Sequence, residues 1–247
     1  MRRSPLHRAA HGPPPPEGED PTNEDLPPQG EVRPQAGKGA DLTDAAAFSA
    51  ATGATPAQMA DLERFRDLLA EWNERMNLVG PSALEAFWGR HAYDSAQLLE
   101  HAPEALTWAD LGAGAGFPGL VLAIMLKGRP DARVHLVESM AKRCRFLETV
   151  VETLGLPASV HQSRAESLSL AVDIVTARAC APAGRLFEFA WPYLRNGATG
   201  LFLKGQDIEA ELADATKSWD FEAELLPSRS STSGRILQVK RLRRARR

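Results

Sequence analysis

Four glycines fall within eight positions of the stretch WADLGAGAGFPGL, residues 108–120, directly after a run that reads as a buried strand. Glycine lets the backbone approach a ligand closely and adopt positive φ. Asp110 ends the strand, and Gly112, Gly114 and Gly116 follow it. A strand that runs into glycines and then a helix is a cofactor cradle, because ligands of an open parallel sheet bind beyond the carboxyl ends of its strands.

Two ligand classes compete for that cradle. Gly114-Ala-Gly116-Phe-Pro-Gly119 matches the G-x-G-x-x-G dinucleotide fingerprint, but the register is wrong. A dinucleotide fingerprint starts at the strand end, whereas Asp110 and Gly112 come first here. An acidic strand end followed by G-x-G-x-G better suits S-adenosylmethionine, whose methionine end Asp110 could help to order. Glu138 ends the next strand-like run and could accept both hydroxyls of a ribose, a contact that would suit NAD equally.

Other polar groups could place an acceptor. Arg90, His91 and Asp94 lie within five residues. On a helix, residues 90 and 94 share a face, so they could form an ion pair, or Arg90 and His91 could help place an acceptor at the cofactor mouth. Lys204 ends a strand on the ligand side, as a phosphate or carbonyl contact or as a solvated lysine. Lys142, Arg143 and Arg145 form a basic helix face that can meet RNA backbone or only solvent. Cys180 and Cys144 read as small packing residues. No His, Cys, Asp and Glu set has metal-ligand spacing, so no metal is expected.

The elements that must hold these groups are legible as patterns. Thr55 and Pro56 suit a helix start, and Met59, Leu62, Phe65, Leu69, Trp72 and Met76 recur at helical spacing. Ser82-Ala-Leu-Glu85 fits a capping box for a second helix, and a third helical stretch carries Arg90 to Ser95. From residue 106, strand-like runs at 106–111, 133–138, 158–163, 173–179 and 200–205 alternate with helical ones, which predicts a mostly parallel sheet with helices on both faces. Runs at 221–226 and 235–242 have no helix between them and should pair as an antiparallel hairpin. The fold class expected is α/β, a Rossmann-like methyltransferase sheet with a C-terminal hairpin and an N-terminal helical extension. The hairpin disfavours the NAD reading.

The expected boundaries are a proline-rich tail at 1–52 without structure, a helical region at 53–105, the methyltransferase domain at 106–242 and a basic tail at 243–247. The first segment holds nine of the 18 prolines and no apolar periodicity. Net charge is -3, yet the last eight residues hold six positive charges, so the remainder sums to -9. A polyanion must therefore meet a local basic patch. That tail is either a solvated end or a nucleic-acid contact. Two cysteines in 247 residues fit a reduced, cytoplasmic setting, and no apolar run has the length that crosses a bilayer.

Seven stretches, in order, resemble the bacterial 16S rRNA guanine-N7 methyltransferases of the RsmG/GidB family. They are WNERMNLVG (72–80), RHAYDS (90–95), DLGAGAGFPG (110–119), LVESMAKRCRFL (136–147), SRAES (163–167), DIVTARACAP (173–182) and FLKGQ (202–206). Val79 stands where the family commonly has threonine, and Ala113 where it often has serine or threonine. The resemblance implies methyl transfer from S-adenosylmethionine to N7 of one guanosine of 16S rRNA. It places Gly112 and Phe117 at the cofactor, Ala165 and Glu166 beside the adenine, and Arg178 in the cofactor site.

Guanine N7 is an acceptor lone pair without a proton. The implied reaction needs no general base and no covalent cysteine, only positioning and electrostatics. The partner expected is 16S rRNA within a small-subunit ribosomal particle, with the enzyme a monomer and no membrane involved. Another RNA or a small molecule as acceptor, an RNA-binding protein without activity, and an NAD-dependent oxidoreductase are the competing readings.

Overall fold

The computed structural model describes residues 44–245. The prolines of the N-terminal tail and residues 246–247 lie outside them.

Helix α1 (Ala45–Thr52) stands where the sequence reading expects no structure. Asp44 caps it by accepting from the Ala47 amide at 2.8 Å, and Gly53 ends it with φ 68°. Phe48 is fully buried, with its ring 5.6 Å from that of Trp88. Two turns are too short for apolar periodicity to show, so one aromatic anchor and a cap carry the helix.

Helix α2 (Pro56–Met76) starts as expected: Thr55 Oγ1 accepts from the Gln58 amide, and Gln58 Oε1 accepts from the Thr55 amide at 2.8 Å. The capping box expected at Ser82 is absent, and Pro81–Ala83 makes only one 3-10 turn without a side-chain cap. A π-helical stretch, Phe87–Tyr93, follows and runs into α3 (Asp94–Ala96) and a 3-10 turn, Gln97–His101. The wide turn buries Phe87, Trp88, Ala92 and Tyr93 and leaves Arg90 exposed.

The seven strands are β1 (Thr107–Leu111), β2 (Arg133–Glu138), β3 (Ala158–Gln162), β4 (Ile174–Arg178), β5 (Thr199–Lys204), β6 (Trp219–Pro227) and β7 (Arg235–Arg244). Their order across the sheet is β3-β2-β1-β4-β5-β7-β6. The first five are parallel, and β7 runs antiparallel to both neighbours, so the hairpin is as expected. Helices α2, α4 (Gly119–Leu126) and α5 (Ala141–Leu154) share one buried cluster with one face of the sheet. Helices α6 (Ala183–Leu194) and α7 (Ile208–Ala215) pack into a second cluster.

The basic end is ordered strand as far as Arg244, not a tail from residue 243. Lys204 pairs with Arg235 and Gly200 with Val239, so β7 carries its later arginines past the amino end of β5. Asp220 faces Arg243 across the hairpin, and the Arg244 guanidinium lies 4.1 Å from the Trp219 ring centroid.

Candidate active site

A cavity of about 1290 Å³ opens at the carboxyl ends of the parallel strands. Its wall brings together Arg90, His91, Gly112, Gly114, Phe117, Glu138, Ala165, Glu166, Arg178 and Lys204. That is more space than a single small ligand usually fills, and leaves room for a second reactant.

Glu138 is 4% exposed and ties two loops together. Its Oε2 accepts from the Gly114 amide at 3.1 Å and its Oε1 from the Met140 amide at 2.8 Å. Oε1 also accepts from the Ser139 hydroxyl at 3.5 Å, so with two lone pairs per carboxylate oxygen it is Oε2 that retains one for a ligand hydroxyl. Gly112 and Gly114 have φ of 71° and 54°. A Cβ on Gly112 would meet Cys180 Sγ at 3.2 Å, whereas on Gly114 the nearest atom would be the Gly112 carbonyl oxygen at 3.6 Å.

Two residues singled out from the sequence lie behind the wall. Asp110 is fully buried beneath the loop, where its Oδ2 accepts from the Gly119 amide at 2.9 Å. Burial pushes its carboxyl up to about 7, against the opposing pull of the Gly119 hydrogen bond. Its Oδ1 has no hydrogen-bond partner among the described residues. Asp110 therefore braces the start of α4 instead of lining the space for a ligand. Gly116, φ 92°, is held by packing: a Cβ there would sit 2.2 Å from Leu120 Cδ1.

The opposite side is cationic and aromatic. The Arg178 guanidinium lies 4.8 Å from the Phe117 ring centroid and donates to His91 Nδ1. The His91 ring stacks on Phe117 with centroids 5.0 Å apart. Burial, then the charges of Arg178 and Arg90, pull the His91 pKa down to about 4. Arginine only donates, so Nδ1 is the acceptor and the neutral ring carries its proton on Nε2.

No Arg90–Asp94 ion pair forms. Asp94 turns to the loop between β6 and β7, where its Oδ1 accepts from Ser230 Oγ at 2.6 Å. Lys204 is not free either: its ammonium meets Glu211 Oε2 at 2.5 Å and the Ala181 carbonyl at 3.0 Å. Burial raises the Cys180 thiol, and the charges of Asp110 and Glu138 raise it further, which disfavours the thiolate. Cys144 is buried and donates to the Glu138 carbonyl. Of the basic face on α5, Arg143 reaches the wall, 3.8 Å from Glu138 Oε2.

The loop bearing Ser230, Ser231, Ser233 and Gly234 lines the cavity. The sequence marked it only as a link between two strands; its density of serines was the available signal.

Strand order, the cradle at β1 and the acidic end of β2 define an S-adenosylmethionine-dependent methyltransferase with a Rossmann-like sheet. The cofactor-bound structure of Rv0187 from MTB matches with a TM-score of 0.50 at 17% identity, over 81% of this chain and 98% of that one, a likeness of fold. The family profile GidB, rRNA small subunit methyltransferase G, matches residues 58–236. The ribosomal RNA small subunit methyltransferase G of Caulobacter vibrioides (strain NA1000 / CB15N) is 66% identical over 205 residues, 83% of this chain and 95% of that protein. The protein of the same name from Bradyrhizobium sp. (strain ORS 278) is 47% identical over 201 residues, 80% of this chain and 90% of that protein. The chain belongs to the rRNA small subunit methyltransferase G family.

Proposed function

We propose that this protein transfers a methyl group from S-adenosylmethionine to N7 of a guanosine in 16S rRNA, as a cytoplasmic monomer acting on a small-subunit ribosomal particle. The observation that carries the reading is the meeting of two surfaces in one cavity. Gly114 pinned to Glu138 forms one side, and Arg178 and His91 against Phe117 form the other.

When bound, S-adenosylmethionine supplies a methyl group activated by its sulfonium. Gly112, Gly114 and Phe117 line its space, and Glu138 Oε2 accepts a ribose hydroxyl on its remaining lone pair. Ala165 and Glu166, in the 3-10 turn after β3, flank the adenine. Arg178, at the end of β4, marks where cofactor and acceptor sides meet.

On the acceptor side no proton has to be removed, because guanine N7 carries none. The residues there orient and hold charge. Neutral His91 presents Nε2–H as a donor suited to the guanine edge, and exposed Arg90 offers a cation to a phosphate. Lys204, through Glu211 and Ala181, keeps the segment after β4 in place. The helical region 53–105 thus supplies Arg90 and His91 to the methyltransferase domain at 106–242.

Two observations support the remaining terms. Met140 is the large apolar side chain left exposed among the described residues, which fits a monomer. Among those residues no helix is long and apolar enough to cross a membrane. The test is 7-methylguanosine in 16S rRNA digests: it should vanish when the gene is deleted and return with the intact gene, and its persistence in the deletion would refute the assignment.

A further inference from the structure

The loop between β6 and β7 is fastened to the segment that carries His91 by hydrogen bonds between residues more than a hundred positions apart. Ser230 Oγ donates to Asp94 Oδ1 at 2.6 Å. Gln97, which also donates to Asp94 Oδ1 at 2.9 Å within its own segment, donates through Nε2 across to Ser228 Oγ at 3.1 Å, and its Oε1 accepts from the Arg229 amide at 2.9 Å. Arg229 Nη1 lies 2.7 Å from both carboxylate oxygens of Glu100. Ser228 and Ser230 are thereby engaged with the protein, while Ser231 and Ser233, whose hydroxyls lie 3.2 Å from each other, are exposed on the cavity wall.

Topology separates the two halves of the cavity. Gly112, Glu138 and Ala165 follow or end β1, β2 and β3, on one side of the sheet's midline. Arg178 ends β4, Lys204 ends β5, and the serine loop leads into β7, which lies beside β5. A carboxylate on the wall of a site for a polyanion would repel its ligand unless the charge were otherwise engaged. Asp94 accepts three hydroxyl or amide donors and has Arg178 and Arg90 as its cationic neighbours. Serine hydroxyls and loop amides commonly contact phosphate and sugar oxygens of nucleic acid.

We infer that the β6–β7 loop is the acceptor-side wall of the cavity, meeting RNA backbone through Ser231 and Ser233, and that Asp94 is a positioning residue that holds this wall through Ser230. The inference rests on the proposed rRNA activity and deepens it.

The test compares Ser230→Ala, Ser230→Thr and Asp94→Asn with the unaltered full-length protein. Three quantities are read: hydrogen exchange of the loop, affinity for unmethylated 30S subunits, and affinity for S-adenosylhomocysteine. Ser230→Ala should speed exchange across residues 229–234 and weaken 30S binding about ten-fold, as loss of one hydrogen bond to a charged group implies. Affinity for S-adenosylhomocysteine should stay within about two-fold, since that half of the cavity keeps its bonds. Ser230→Thr, which retains the hydroxyl, should restore both altered quantities, and Asp94→Asn should resemble Ser230→Ala. Unchanged loop exchange, equal loss of both affinities, or failure of threonine to rescue would overturn the inference. All three readings are taken without turnover. Intact protein that binds 30S but leaves guanine N7 unmethylated would refute the proposed reaction and leave the wall standing.

Discussion

Arg178 donates a hydrogen bond to His91 Nδ1 while both side chains lie against the Phe117 ring. The pair joins β4 to the π-helical stretch and fixes the tautomer of His91. Because burial and two neighbouring arginines hold its pKa at about 4, below the ordinary 6.5, the unfolded chain takes up the proton first. The stabilising contribution of neutral His91 is complete above pH 6.5 and is lost as pH falls from 6.5 to about 4. Urea unfolding of wild type and His91→Gln across that window should show the wild type losing stability relative to the variant. Titration of His91 near 6.5 by NMR would contradict the buried, neutral assignment.

Asp110 has the opposite sign. Burial raises its folded pKa to about 7, above the ordinary 3.8, so its stabilising contribution is full below 3.8 and is lost as pH rises toward 7. Asp110→Asn keeps an oxygen for the Gly119 amide and removes the buried charge. The variant should gain stability relative to wild type as pH rises from about 4 to 8, measured by urea unfolding. A difference that stays flat with pH would place the titration elsewhere.

The glycines separate ligand space from packing space. Gly116→Ala, with a Cβ 2.2 Å from Leu120, should destabilise by about 1–3 kcal/mol. Gly114→Ala meets no such clash and should cost about 1–2 kcal/mol for its left-handed backbone. Gly114→Arg should abolish cofactor binding by filling the cradle. Calorimetry showing normal cofactor affinity in Gly114→Arg would mean the cradle lies elsewhere.

Glu138→Ala removes the acceptor for two loop amides, those of Gly114 and Met140. Cofactor affinity should fall by about ten-fold or more, given the cost of one or two lost charge-assisted bonds. Glu138→Gln keeps one oxygen and should fall between. Equal affinity in all three proteins would remove Glu138 from the cofactor site.

The course of the glycine loop was legible because strand, glycine run and helix are adjacent in sequence. Gly112, Gly114 and Glu138 follow or end strand-like runs, and strand ends are where an open sheet binds, whereas Arg178 entered only through the family resemblance. What stayed hidden depends on side-chain contacts between separate elements. Asp110 reads as a ligand group, but only the packed sheet shows it turned inward to Gly119. Lys204 reads as a free cation because it ends strand β5 while Glu211 sits on helix α7. The π-helical stretch has no periodicity of its own in sequence, so of the two readings left open there the Arg90–Asp94 pair does not form, and Ser230 meets the carboxylate instead. Helix α1 was too short to announce itself, though Phe48 anchors it.

The central claim is methyl transfer to guanine N7 on the small subunit, and labelled S-adenosylmethionine tests it directly. Purified protein is incubated with unmethylated 30S subunits, 50S subunits and naked 16S rRNA, and the labelled base is identified after digestion. 7-Methylguanosine is expected in small-subunit RNA, strongest on the particle, with no label on 50S subunits. Label in another base, label on 50S subunits, or no transfer to any of the three despite measurable cofactor binding would contradict the claim.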